Sequence, residues 1–126
     1  MGYTVFRAGE LAFGPPSGGN LDRRIARLSD AMTNMRANIW RYPPGANGRR
    51  HAEGVQEELF IALDGNATLL LGEPAEPVEL EPGSMAVVQP GTAVQVANQS
   101  DGEATLLIVG APPEVGRAEY LPDAAA

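Results

Sequence analysis

His51, the one histidine of the chain, sits among acidic side chains in Gly45-Ala-Asn-Gly-Arg49-Arg50-His51-Ala-Glu53-Gly-Val-Gln56-Glu57-Glu58-Leu-Phe60-Ile-Ala62-Leu-Asp-Gly65. Imidazole nitrogens and carboxylate oxygens bind cations and carry protons. No other segment gathers such groups at ligand-like spacing. In an extended chain, side chains two positions apart share a face, so His51 and Glu53 point the same way. Glu57 and Glu58 are adjacent, so only one of them can join that pair. A short turn followed by a paired strand would set Glu58 beside His51 and Glu53, with Phe60 and Ala62 on the same inward face. Glu57 is then expected to be a solvated strand residue.

Strands must hold this cluster. From Ala37 onward, Gly and Pro punctuate short apolar runs at intervals that suit an all-β sandwich or barrel. The runs are Met35 to Tyr42, Leu59 to Leu63, Ala67 to Leu71, Val78 to Leu80, Met85 to Val88, Ala93 to Ala97 and Ala104 to Val109. Asp64-Gly65 between two β-forming runs predicts a hairpin with a type I′ turn. Ile25, Leu28, Met32 and Met35 fall at helical spacing behind Asp22, but Arg23 to Leu28 reads equally well as a strand followed by a loop. The Gly14 to Gly19 stretch is a surface loop and not a phosphate loop, because no Gly-Lys-Ser/Thr comes after it. After Gly110 the chain reads as a tail that wraps the surface or frays.

Leu59 to Leu63 and Leu69 to Leu71 are apolar on both faces. A two-sheet sandwich buries one face of each sheet, so the second apolar face needs a cover, and a homodimer partner would supply it. Trp40 and Tyr42 alternate onto one face and are expected in the core. Ser17, Ser29, Ser84 and Ser100 offer hydroxyls, but none stands in a nucleophile-elbow pattern.

Composition narrows the function classes. The 126 residues hold 9 basic and 16 acidic side chains, a net charge of −7. That balance argues against nucleic acid as a partner. With no cysteine, disulfides, thiolate metal sites and a cysteine nucleophile are all excluded. No apolar run is long enough for a transmembrane helix, and the start of the chain lacks a signal-peptide layout. A cytoplasmic domain without membrane or nucleic-acid partners is the expectation.

The His51 segment resembles the first motif of the cupin family, G-x5-H-x-H-x4-E-x6-G. Gly45, His51, Glu58 and Gly65 match at the expected spacings, and Glu53 stands where the second His belongs. Gly83 to Asn98 resembles the second cupin motif through Gly83, Pro90-Gly91 and Asn98, with Val94 on the position of the family's last His. The resemblance covers about Met35 to Val109. It implies an all-β fold, a small cupin-type double-stranded β-helix: a jelly-roll-like barrel of two antiparallel sheets. Residues 1–34 would be an N-terminal arm packing on the barrel, 35–110 the barrel and 111–126 a C-terminal tail.

In the family, three His and one Glu hold a metal. Carried over residue by residue, that leaves His51 and Glu58 in place, with Glu53 for one imidazole and nothing from Val94. One His with two carboxylates suits a hard cation, and a divalent manganese, iron, nickel or zinc is the cofactor implied. Asn98 takes a structural position, holding a turn through side-chain hydrogen bonds. The first functional expectation is small-molecule binding in the lumen, involving Arg49, His51, Phe60, Ala62, Val94 and Val96, with a weak or absent metal site. The alternative is a metal-dependent oxygenase or isomerase with His51, Glu53 and Glu58 as ligands. Without metal, Glu53 or Glu58 would be the acid–base group. Gln56 and Gln95 are further polar candidates for the pocket wall.

Overall fold

The structure, a computed structural model, describes residues 2–113 and 118–124. Among the described residues, ten strands form two five-stranded sheets whose pairings are all antiparallel. They are β1 (Arg24–Ala26), β2 (Arg36–Tyr42), β3 (His51–Ala52), β4 (Glu57–Asp64), β5 (Ala67–Leu71), β6 (Glu76–Leu80), β7 (Met85–Val88), β8 (Val94–Ala97), β9 (Ala104–Ala111) and β10 (Glu119–Tyr120). The first sheet runs β1-β2-β9-β4-β7 and the second β10-β3-β8-β5-β6. This is the expected all-β barrel of two packed sheets, and it is nearly free of helix. Among the described residues no helix is long and apolar enough to cross a membrane.

Alternation builds the core. Along β4, Glu58, Phe60 and Ala62 are buried while Glu57 and Leu63 are exposed. Phe60, Leu69 and Leu106 meet between the sheets at 1% exposure or less, with Tyr42, Val94 and Val96 packed around them. Burying this apolar surface is the main driving force for closing the barrel. Trp40 packs against the cluster, and Tyr42 belongs to it.

Three local expectations need correction. Asp64-Gly65 does not close a hairpin: β4 pairs with β7 and β9, whereas β5 pairs with β6 and β8. The turn instead carries the chain from one sheet to the other. No residue other than glycine has positive φ among the described residues, so a type I′ turn is ruled out. The β4–β9 register shifts between Ala62 and Asp64, and Gly65 (φ 66°) lies so close to Glu103 that a Cβ would sit 2.1 Å from its carbonyl oxygen. Second, residues 21–34 hold no α-helix. Arg24–Ala26 is an edge strand on β2, with a 3-10 helix after it at Leu28–Ala31. Burial of Ile25 and Ala26 against the sheet outweighs the helical spacing. Third, β3 and β4 are not paired with each other; they lie in opposite sheets.

The segment after Gly110 falls partly outside the described residues, at 114–117 and 125–126. Its described portion adds β10 to the edge of the second sheet, with Tyr120 opposite His51. Gln95 anchors the residues beyond β10: its Nε2 donates to Asp123 Oδ1 at 3.1 Å, and its Oε1 accepts from the Ala124 N–H at 2.9 Å.

A candidate cation site at the floor of a lumenal cavity

β3 is only two residues long and is held from both sides, by β8 through the His51–Val94 pair and by β10 through Tyr120. Its His51 side chain looks into the space between the sheets, and Glu53 lies two residues later. The Glu53 backbone is fixed by the Gly91 N–H, which donates to its carbonyl at 2.8 Å. The chain then turns and enters β4 in the facing sheet, whose alternation aims Glu58 inward. His51 Nε2 consequently lies 3.0 Å from Glu53 Oε2 and 3.2 Å from Glu58 Oε1. Ligand atoms of the three residues all fall within 4.8 Å of one another.

Hydrogen bonding fixes the ring. His51 Nδ1 is 3.1 Å from the Arg49 carbonyl oxygen, which can only accept, so Nδ1 carries the hydrogen. In a neutral ring, Nε2 then shows a lone pair to two carboxylates. Two carboxylates beside that lone pair favour a positive charge there, and a proton on Nε2 or a cation in its place supplies one. Burial is the largest single influence on His51 and pulls its pKa down. The Glu58 hydrogen bond and charge, the Arg49 carbonyl and the Glu53 charge together outweigh it and raise the ring above its ordinary 6.5.

The donor set fits a divalent cation. One nitrogen and two oxygens come together on the cavity wall, where further ligands would come from water or a small molecule. It does not resemble a closed structural zinc site of four nitrogen or sulfur ligands.

A cavity of about 330 Å³ opens over this group. Arg49, His51, Phe60 and Val96 border it, as do Trp40 and Tyr42. Ala62 and Val94 do not reach its wall; each is 1% exposed and packed in the core. Ala62 lies one inward step beyond Phe60 along β4, and Val94 stands across from His51 beneath the cavity. Gln56 lines the space and donates to the Pro112 carbonyl at 3.1 Å, whereas Gln95 is turned to Gly48 and the C-terminal segment. Arg50 points away from its neighbour Arg49 and is paired with Glu73. Asn98 holds a turn as expected, donating at 2.8 Å to the carbonyls of Tyr42 and Gly102 while Ser100 donates to its Oδ1.

Sequence reasoning missed Arg23 and Tyr120. Arg23 directly precedes β1; its guanidinium lies 4.7 Å from the Trp40 ring centre and its Nη1 donates to the Tyr42 hydroxyl at 3.1 Å. Tyr120 comes from β10 and carries the Arg49 guanidinium 3.5 Å above its ring. Neither shows a local signal, since each reaches the cavity only through long-range pairing. Tyr42, deeply buried, has its hydroxyl pKa raised above 10.0, chiefly by desolvation and against the opposing pull of Arg23.

Residues 38–110, more than half of the chain, match the sequence profile of the Cupin domain. No curated protein matches the chain. Among solved structures, a sugar phosphate isomerase of the cupin superfamily from Silicibacter pomeroyi is 25% identical, with a TM-score of 0.75 over 87% of this chain and 76% of that one. A predicted oxalate decarboxylase from Thermotoga maritima is 18% identical, with a TM-score of 0.76 over 87% of this chain and 100% of that one. The polyketide cyclase RemF from Streptomyces resistomycificus is 14% identical, with a TM-score of 0.82 over 97% and 89%. The last two likenesses are likenesses of fold.

Proposed function

The chain belongs to the cupin family, and on that premise we propose that its barrel binds a small molecule over a cation held by His51, Glu53 and Glu58. The observation that carries this reading is the convergence of three acceptor side chains, within 4.8 Å, at the floor of a cavity of about 330 Å³. Ligand pockets start at roughly that size and join apolar walls to a few convergent polar groups. Phe60, Val96, Trp40 and Tyr42 supply the walls, and Arg49 stands at the rim. Among manganese, iron, nickel and zinc, the oxygen-rich donor set favours manganese. When bound, such a cation polarises an oxygen of the ligand as a Lewis acid. With three protein ligands instead of four, its hold is weak.

A second reading, a metal-dependent isomerase or oxygenase, is supported by the names of similar structures, which include an isomerase, a decarboxylase and a cyclase. In that case Glu53 and Glu58 carry protons or ligate at the same floor. The test is metal content by inductively coupled plasma mass spectrometry on tag-free protein purified without chelator. After dialysis against manganese, up to one divalent ion per chain, falling at least about tenfold in Glu58→Gln, is the expected result. Protein that stays metal-free after dialysis against manganese and zinc would overturn the cation. Turnover that disappears in Glu58→Gln would select the enzyme over the binding module.

We also assign the outer face of the first sheet to a second copy of the chain. The register lines up Ile39, Leu107, Ile61 and Met85 across β2, β9, β4 and β7, with Val109, Leu59 and Val87 in the adjoining row. Opposed residues share a face, so these side chains form one apolar patch. Met85 and Val87 are 58% and 60% exposed.

A further inference from the structure

We infer that the small molecule carries a carboxylate, and that Arg23 receives it; this rests on the proposed binding of a ligand in the same cavity. Arg23 is 4% exposed, yet its guanidinium has only neutral partners. Its Nε donates to the Asn20 carbonyl at 2.9 Å, Nη1 to the Tyr42 hydroxyl at 3.1 Å, and Nη2 to the Gly18 carbonyl. The faces of Trp40 and Tyr42 lie 4.7 and 5.3 Å away. These contacts use three of the five N–H groups of a guanidinium and offset part of its lost hydration, but none cancels its charge. Among the described residues Arg23 forms no ion pair. Arg50, the other buried arginine among the described residues, has Glu73. A buried charge without a counter-charge is costly, and sites that keep one use it.

The cavity's charge balance points the same way. Arg23, Arg36 and Arg49 all line the cavity, and Arg23 and Arg49 have no acid partner among the described residues. The whole chain carries −7, so a positive wall inside it is not a by-product of composition. A planar carboxylate matches the two N–H groups a guanidinium has left, and the aromatic walls suit an apolar body attached to it.

Trp40 is the only tryptophan of the chain and lies against Arg23, so its fluorescence reports on this spot. The full-length protein is titrated with cyclohexanecarboxylate, with the uncharged cyclohexanecarboxamide and with inorganic phosphate, none of which absorbs where tryptophan does. We expect the acid to bind at least about tenfold tighter than the amide, and Arg23→Gln to abolish that preference while still binding the amide. Equal binding of acid and amide would overturn the assignment of Arg23 and leave small-molecule binding standing. A preference for the acid that survives in Arg23→Gln would overturn it too. Phosphate binding tighter than the acid would replace the carboxylate with a phosphate. No response to any probe would overturn the inference outright, while the metal content tests the cation reading separately. Should Arg23→Gln fail to fold, Arg23→Lys keeps the charge and loses the fork, and the preference should shrink without vanishing.

Discussion

His51 and Val94 stand directly opposite each other across the antiparallel pair β3–β8, and therefore share one face. Val94 occupies the position from which the family pattern would supply a last imidazole. A side chain there projects from the same face as His51. Val94→His should raise manganese or zinc affinity roughly tenfold or more, read by competition with a chromophoric chelator. An unchanged affinity in a folded variant would mean that the β8 position cannot reach the floor. The larger side chain enters a packed core, so some loss of metal-free stability is expected with it.

The raised His51 pKa carries a pH dependence with a definite sign. A group that holds its proton more tightly when folded stabilises the fold fully below its unfolded pKa, ordinarily 6.5. That contribution is lost as the pH rises through the folded value. Chelator-treated protein should therefore lose melting temperature as the pH rises above 6.5. Glu58→Gln removes the strongest influence raising the ring and should flatten that slope. A wild-type melting temperature that rises over this interval would contradict the arrangement of the three acceptors.

Gly65 cannot be replaced cheaply. Its φ of 66° strains any L side chain, and a Cβ would meet the Glu103 carbonyl at 2.1 Å. Gly65→Ala should cost roughly 1–3 kcal/mol from the backbone alone, and more from the displaced Glu103 strand entry. Urea denaturation measures it; a change below about 0.5 kcal/mol would show that the sheet-to-sheet turn rearranges freely.

The apolar outer rows predict the behaviour of one exposed residue. Val87→Glu places a charge in the middle of the patch, on a side chain that is 60% exposed. Light scattering after gel filtration should show a dimer for the wild type and a monomer for Val87→Glu, with the circular dichroism spectrum kept. A wild-type monomer at tens of micromolar would remove the second copy from this face.

Much of the barrel is legible in local pattern. The alternation through Glu58, Phe60 and Ala62 defines the inward face of β4, and the spacing of His51, Glu53 and Glu58 locates the acceptors that converge. The Asp64-Gly65 signal misleads because turn residues report local backbone angles and not which strands will pair. The apolar spacing through Ile25 and Leu28 misleads for a similar reason, since the edge of β2 offers Ile25 better burial than a helix would. Ala62 and Val94 are expected on the cavity wall, yet alternation fixes only the face, and depth along the barrel decides what reaches the space. Arg23 and Tyr120 leave no local trace, because their neighbours at the cavity are distant in the sequence.

The floor of the cavity draws His51 from one sheet, Glu53 from the turn that follows it and Glu58 from the other sheet. An ion gripped by all three would rivet the two halves of the barrel together, in a chain that has no cysteine with which to build a covalent cross-link. Loading and unloading that rivet would change how far the two sheets can part, and so how readily the lumen admits or releases what it holds.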